Sequence, residues 1–199
     1  MASVSISPKR LPGKWTAAYS LDLHTISSDF LGYDEYGHAV FDTKRSEMGE
    51  LLYRLKYKSD TSVARVIVES AVEFIREQKW AIDLVVPVPP SDASRSFQPV
   101  MLLAQAIADE LGVRCCIDCV VKVKDTPQLK GVFDPDKRRE LLDNAFVVAA
   151  RQLSGKKVLL FDDLYRSGAT LNSILQALTE EGGVRSAYAL TLTMTRSSR

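Results

Sequence analysis

The stretch Lys157–Thr170, KVLLFDDLYRSGAT in one-letter code, constrains this chain more than any other. Val158 to Phe161 form an unbroken apolar run, the pattern of a strand buried on both faces of a parallel sheet. Asp162 and Asp163 follow at its end. Then come Tyr165, Arg166, Ser167, Gly168, Ala169 and Thr170, after which Leu171, Ile174, Leu175 and Leu178 recur at helical spacing. The order is strand, acidic pair, small-residue turn, helix. A turn of Ser, Gly and Thr that opens a helix directs backbone N–H groups outward at the positive end of the helix dipole, where a phosphate can sit. Each charge-assisted hydrogen bond contributes about 1.5–3 kcal/mol, so three or four hold a phosphate without a lysine in the loop.

The aspartates need a different partner, because a carboxylate beside a phosphate repels it. A vicinal diol suits two adjacent acceptors, and their charge favours a hard cation that also touches phosphate oxygens. Phosphate, diol and magnesium together describe a ribose 5-phosphate.

In these residues the stretch resembles the phosphoribosyl-pyrophosphate (PRPP) motif of type I phosphoribosyltransferases. The resemblance places Asp162 and Asp163 on the ribose hydroxyls, with Mg2+ held nearby through PRPP, and Tyr165, Arg166, Ser167, Gly168, Ala169 and Thr170 around the 5-phosphate. Arg166 stands where that family usually has a threonine. Receiver domains also carry acidic residues at strand ends, but without the Ser-Gly-x-Thr turn.

A second strand-turn-helix unit precedes this one. Ala81–Ser91, AIDLVVPVPPS, is an apolar strand running into prolines, which stop the ladder and force a stiff turn in which one X–Pro bond can be cis. A helix follows with Leu103, Ala106, Ile107 and Leu111 on one side and Gly112 at its end. Two such units side by side build neighbouring anion cradles at the carboxyl edge of a sheet. In the resembled family the loop after the first core strand grips the pyrophosphate, which implies that role for Pro89, Pro90, Ser91 and Arg95.

Cys115–Val123 and Ala145–Ala149 read as further strands, and Ser186–Thr193 as the last. Between the first two lies a polar insertion, residues 124–144, of the kind that forms a mobile lid. By the resemblance it closes over pyrophosphate, with Lys122 and Lys124 as catalytic cations. Towards the N-terminus, Trp15–Thr25 is expected to pair with a strand around His38–Phe41, linked through Asp34, Glu35 and Gly37. Ser46 then caps a helix with Met48, Leu51, Leu52 and Leu55 on one face, ending in Lys56, Tyr57 and Lys58. A second helix, from about Ser62 to Lys79, carries a core stripe that includes Val63, Ile67, Ala71 and Phe74.

Composition excludes some classes of function. With 26 Lys and Arg against 25 Asp and Glu in 199 residues, the net charge is +1, so no electrostatic footprint for duplex nucleic acid appears. No apolar run approaches the roughly 20 residues that cross a bilayer, and MASVSISPKR lacks a signal-peptide core, so no membrane partner and a cytoplasmic location are expected. The three cysteines, Cys115, Cys116 and Cys119, are expected as core or strand thiols in a reducing cytosol rather than as a metal site.

KYKSD at Lys56–Asp60, RSFQPVMLLAQAIADELG at Arg95–Gly112, and the segment from KVKDTPQL to RRELLDNAFVV within Lys122–Val148 narrow the resemblance to the ComF family. Its members carry the phosphoribosyltransferase fold and are associated with competence for DNA uptake. The four-cysteine zinc module common at the start of ComF proteins is not found here, and Ser96 and Pro99 depart from the family's Arg-Gly-Phe-Asn-Gln pattern.

The fold expected from all this is the α/β type I phosphoribosyltransferase fold: a mainly parallel five-stranded sheet, helices on both faces, and a small N-terminal hood over residues 1–60 ahead of a core over 61–199. The implied activity displaces pyrophosphate from PRPP by a nucleophile, usually nitrogen, at the anomeric carbon. The alternatives are a module that senses PRPP or a nucleotide without catalysis, and a ComF-like accessory of DNA uptake. Expected partners are PRPP and an acceptor the sequence does not specify, with a homodimer left open.

Overall fold

A computed structural model describes residues 4–91, 96–123, 145–148 and 153–196. In chain order the strands are β1 (Lys9–Arg10), β2 (Ala17–Leu23), β3 (Thr25–Tyr33), β4 (Ala39–Arg45), β5 (Leu84–Pro87), β6 (Arg114–Cys115), β7 (Val120–Lys122), β8 (Phe146–Val148), β9 (Lys157–Tyr165) and β10 (Ser186–Met194). The helices are α1 (Glu47–Tyr57), α2 (Ala64–Glu77), α3 (Pro99–Leu111) and α4 (Ala169–Glu180).

Six strands form the main sheet in the order β1-β2-β10-β9-β5-β6. All its pairings are parallel except that of β1 with β2. The mainly parallel five-stranded sheet expected from the sequence is therefore present, with a two-residue antiparallel strand added at its edge.

Strand β9 is central, between β10 and β5. Alternation along it divides the core, because successive side chains of a strand point to opposite faces. Leu159 and Phe161 join the cluster formed with α1, α2 and α3, through Leu52, Ile67 and Leu103 among others. Val158 and Leu160 join the cluster under α4, with Leu171, Ile174 and Leu178. A strand apolar on both faces is what burial between two helical layers requires.

Helix starts and stops follow local chemistry. Ser46 Oγ accepts from Gly49 N at 3.0 Å, the expected cap of α1, and donates to the Leu23 carbonyl at 2.5 Å. One hydroxyl thus ties the start of α1 to the end of β2. Gly112 ends α3 at φ 68°, where a residue without a Cβ is unstrained.

Three expectations need correction. Strand β2 does not pair with the segment around His38–Phe41: it enters the main sheet beside β10, and β4 pairs with β3 instead, through the predicted turn at Asp34–Gly37. Alternating strands find partners by which face they can bury, and β2 carries Ala18 and Leu21 into the two cores whereas β3 is largely exposed. Residues 1–60 are consequently not a separate hood, since β2 and α1 belong to the sheet and its core and the β3–β4 hairpin alone forms its own sheet. The stretch Cys115–Val123 is broken: β6 lies in the main sheet, β7 pairs with β8 in a small sheet, and Cys116 and Cys119 between them are joined in a disulfide, leaving Cys115 as the free thiol. The described peptide bonds are all trans, those at Pro89 and Pro90 included.

Candidate functional site

The carboxyl ends of β9 and β5 open on a cavity of about 470 Å³. Asp162, Asp163 and Thr170 line it from the first unit, and Val88, Pro89, Pro90 and Ser91 from the second. Lys56, Tyr57 and Ser59 close it from the end of α1, and residues 96–101 from the start of α3. The acidic pair and the proline turn expected at one sheet edge are brought together, with Thr170 the one residue of the expected phosphate loop that lines the cavity.

The strand runs three residues beyond the apolar stretch, to Tyr165, so the acidic pair lies within it. Alternation puts Asp163 on the face of Leu159 and Phe161, towards α1, and Asp162 on the face of α4. Asp163 is buried and its Oδ2 lies 2.8 Å from Lys56 Nζ. The Asp163 amide donates to Asp162 Oδ1 at 2.8 Å. Burial, reinforced by the charge of Asp163, pushes the Asp162 carboxyl up to about 8, and the amide and Lys56 only partly offset this. Ionisation of Asp162 is thus disfavoured by burial and by its neighbour, while the Lys56 ammonium sits on Asp163. Across the sheet, Thr191 on β10 is in register with Asp162, and its fully buried hydroxyl has no hydrogen-bond partner among the described residues.

The turn after β9 has the expected form. Arg166 and Ser167 are exposed, Gly168 takes φ 76°, and α4 begins at Ala169 with no side chain capping it. Gly168 as the N-cap residue brings no side chain to the first-turn amides, the arrangement a phosphate cradle uses. Gly168 is required twice over, by its positive φ and because a Cβ there would lie 2.6 Å from the Tyr165 hydroxyl. Tyr165, expected to face phosphate, is instead buried in the core under α4, so its part in the loop is packing. Its ring is the floor on which the glycine turn rests.

One predicted residue falls apart from this group. Lys122 sits half-buried on β7 in the small sheet and does not line the cavity, because the chain leaves the main sheet after Cys115. Arg95, Lys124 and the expected lid over 124–144 lie outside the described residues.

Lys56, which the sequence offers as a last-turn cation and as the first residue of KYKSD but without a role, stands at the site. His24, weighed from the sequence with Tyr33 and Tyr57 as a lining residue for the acceptor, does not line the cavity but lies behind Asp163. His24, just after β2, places Nδ1 3.2 Å from Thr193 Oγ1, which donates to the Asp163 carbonyl at 3.2 Å. With the Thr193 hydrogen spent on that carbonyl, His24 Nδ1 is assigned as the donor. Burial first, then the charges of Arg45 and Lys56, hold His24 below its ordinary range and keep the imidazole neutral. The Cys116, Asp118 and Cys119 group brings potential metal-ligating atoms within 4.8 Å of one another, but the disulfide removes both thiolates.

The described fold is a mixed α/β one, a mostly parallel central sheet with helices on both faces. The chain is also ComF-like in sequence. It is 28% identical over 142 residues to Competence protein F of Haemophilus influenzae, a match covering 66% of this chain and 62% of that protein. It is 26% identical over 148 residues to Competence protein ComFC of Streptococcus pneumoniae, covering 73% and 63%. The chain thus spans less than two thirds of the length of these relatives. No protein-family model matches it. Among solved structures it is similar to adenine phosphoribosyltransferase from Leishmania tarentolae, with a TM-score of 0.48 and 13% identity over 94% of each chain. Among the described residues no helix is long and apolar enough to cross a membrane.

Proposed function

We propose that this protein binds PRPP and transfers its phosphoribosyl group, displacing pyrophosphate at the anomeric carbon with a nitrogen nucleophile. The observation that carries this is the convergence on one cavity of the Asp162–Asp163 doublet, Thr170 in the first turn of α4 and the Pro89–Ser91 turn. Asp162 and Asp163 accept hydrogen bonds from the ribose 2- and 3-hydroxyls. The amides of Arg166–Thr170 take the 5-phosphate. Pro89, Pro90 and Ser91 border the diphosphate, with Arg95 and Lys124 as the cations proposed to reach it.

The mechanism needs no covalent enzyme nucleophile. Catalysis comes from holding the leaving group in line and from carboxylates beside a ring that gains positive charge in the transition state. Exclusion of water protects that cation from hydrolysis. The hard carboxylate oxygens of Asp162 and Asp163 lining the cavity suit Mg2+, which they would help hold through PRPP, and the ion would supply charge neutralisation of the diphosphate.

A second reading has its own support. Lys56 already engages Asp163, and Arg166 replaces a hydroxyl donor, which suits a module that binds PRPP or a nucleotide without turnover. The names of the two relatives favour a place for such a module in competence. Assay of pyrophosphate release from PRPP across a panel of bases and amines separates the two: product supports the transferase, and tight binding without product supports the sensor. In the paired variant Asp162→Asn with Asp163→Asn, PRPP affinity is expected to drop by about a hundredfold or more while circular dichroism stays unchanged. Unchanged affinity in that variant sinks both readings.

A further inference from the structure

Lys56 has no task in the function just proposed, yet its ammonium makes a 2.8 Å contact with a carboxylate meant for the sugar. The segment that carries it is firmly built. Met48, Leu52 and Leu55 are fully buried and fix α1 to the core. Arg54 grips Asp60 Oδ2 through Nε at 3.0 Å and Nη2 at 2.6 Å, and so closes the turn that follows the helix. Within that turn Ser59 lines the cavity at φ 51°, a left-handed conformation that costs a residue with a Cβ about 1–2 kcal/mol. A strained turn held by a bidentate ion pair therefore positions the lysine stem, while four rotatable bonds leave the ammonium free to move by a few ångströms.

The contact conflicts with diol binding. A ribose hydroxyl that donates to Asp163 Oδ2, the oxygen Lys56 holds, competes with the lysine for it. An ammonium displaced inside a cavity must find another acceptor, because an unpaired charge there is costly. A diphosphate bordering Pro89–Ser91, across the same cavity, offers one. We propose that Lys56 is an exchangeable cation: it holds Asp163 until the diol claims that carboxylate, then moves to an anionic oxygen of the diphosphate, so the site prefers the 1-diphosphate sugar to ribose 5-phosphate. The proposal rests on the function given above and assigns the residue that makes its site selective.

The test is calorimetric titration of the full chain with PRPP and with ribose 5-phosphate, both in magnesium buffer, for wild type, Lys56→Met and Lys56→Arg. Lys56→Met is expected to weaken PRPP by about tenfold or more while ribose 5-phosphate binds as well as before or better, and Lys56→Arg is expected to restore the preference. Equal loss for both ligands, or no change in either, overturns the proposal and leaves Lys56 as an ion-pair partner only. Wild type that binds neither sugar overturns the underlying function as well. If Lys56→Met fails to fold, as thermal denaturation reports, Lys56→Gln serves as the neutral variant under the same criteria.

Discussion

Asp162 is protonated at pH values where the unfolded chain has lost that proton, and this sets a measurable sign. Its native value lies near 8 against an ordinary 3.8, so its contribution to stability is complete below the lower value and fades as pH rises to the upper one. Asp162→Asn cannot ionise and removes that slope. The variant is expected to melt above wild type at pH 8, by about 2–4 °C for each kcal/mol in a chain of this size, with the gap closing towards pH 4. Denaturation across that range checks it, and a constant gap counts against a proton-holding Asp162. Under the proposed function the same substitution is expected to weaken sugar binding, so stability and binding would move in opposite directions, as for residues kept for chemistry at some cost to the fold.

At the scale of elements, α1 is the one that joins the N-terminal segment to the site. Its first turn is pinned by Ser46 to the end of β2, and its last turn carries Lys56 to the end of β9. Gly49 makes the close approach possible, since a Cβ there would collide with the His24 carbonyl oxygen. That atom is backbone and cannot swing aside. Gly49→Ala is accordingly expected to lower stability by about 1–3 kcal/mol, despite alanine's better helix propensity, and to weaken PRPP binding by shifting Lys56 from Asp163. Urea denaturation and the titration described for Lys56 measure the two effects. A stabilised variant with unchanged affinity would mean that α1 is free to shift.

Over the whole molecule, two cores share one sheet, and the doublet sends one carboxylate to each side of it. The β3–β4 hairpin belongs to neither core. Phe30, Tyr33 and Phe41 pack on one another yet remain 53%, 73% and 52% exposed. Replacing residues 30–41 with a short Asn-Gly turn should therefore leave the melting midpoint within about 3 °C. A larger fall would show that the hairpin supports the sheet.

Contiguous chemistry was readable from residue order alone. The strand-acid-turn-helix of 157–180, the proline turn, the Ser46 cap and the Gly112 stop each depend on neighbours a few positions apart, and local sterics and hydrogen bonding settle them. What folding had to decide was partnership. An alternating strand such as β2 can pair with several others at similar local cost, and burial of both its faces placed it beside β10. The cation at Asp163 was hidden for the same reason: Lys56 ends an ordinary amphipathic helix, and three-dimensional packing of α1 against the sheet is what carries its charge to a carboxylate far along the chain.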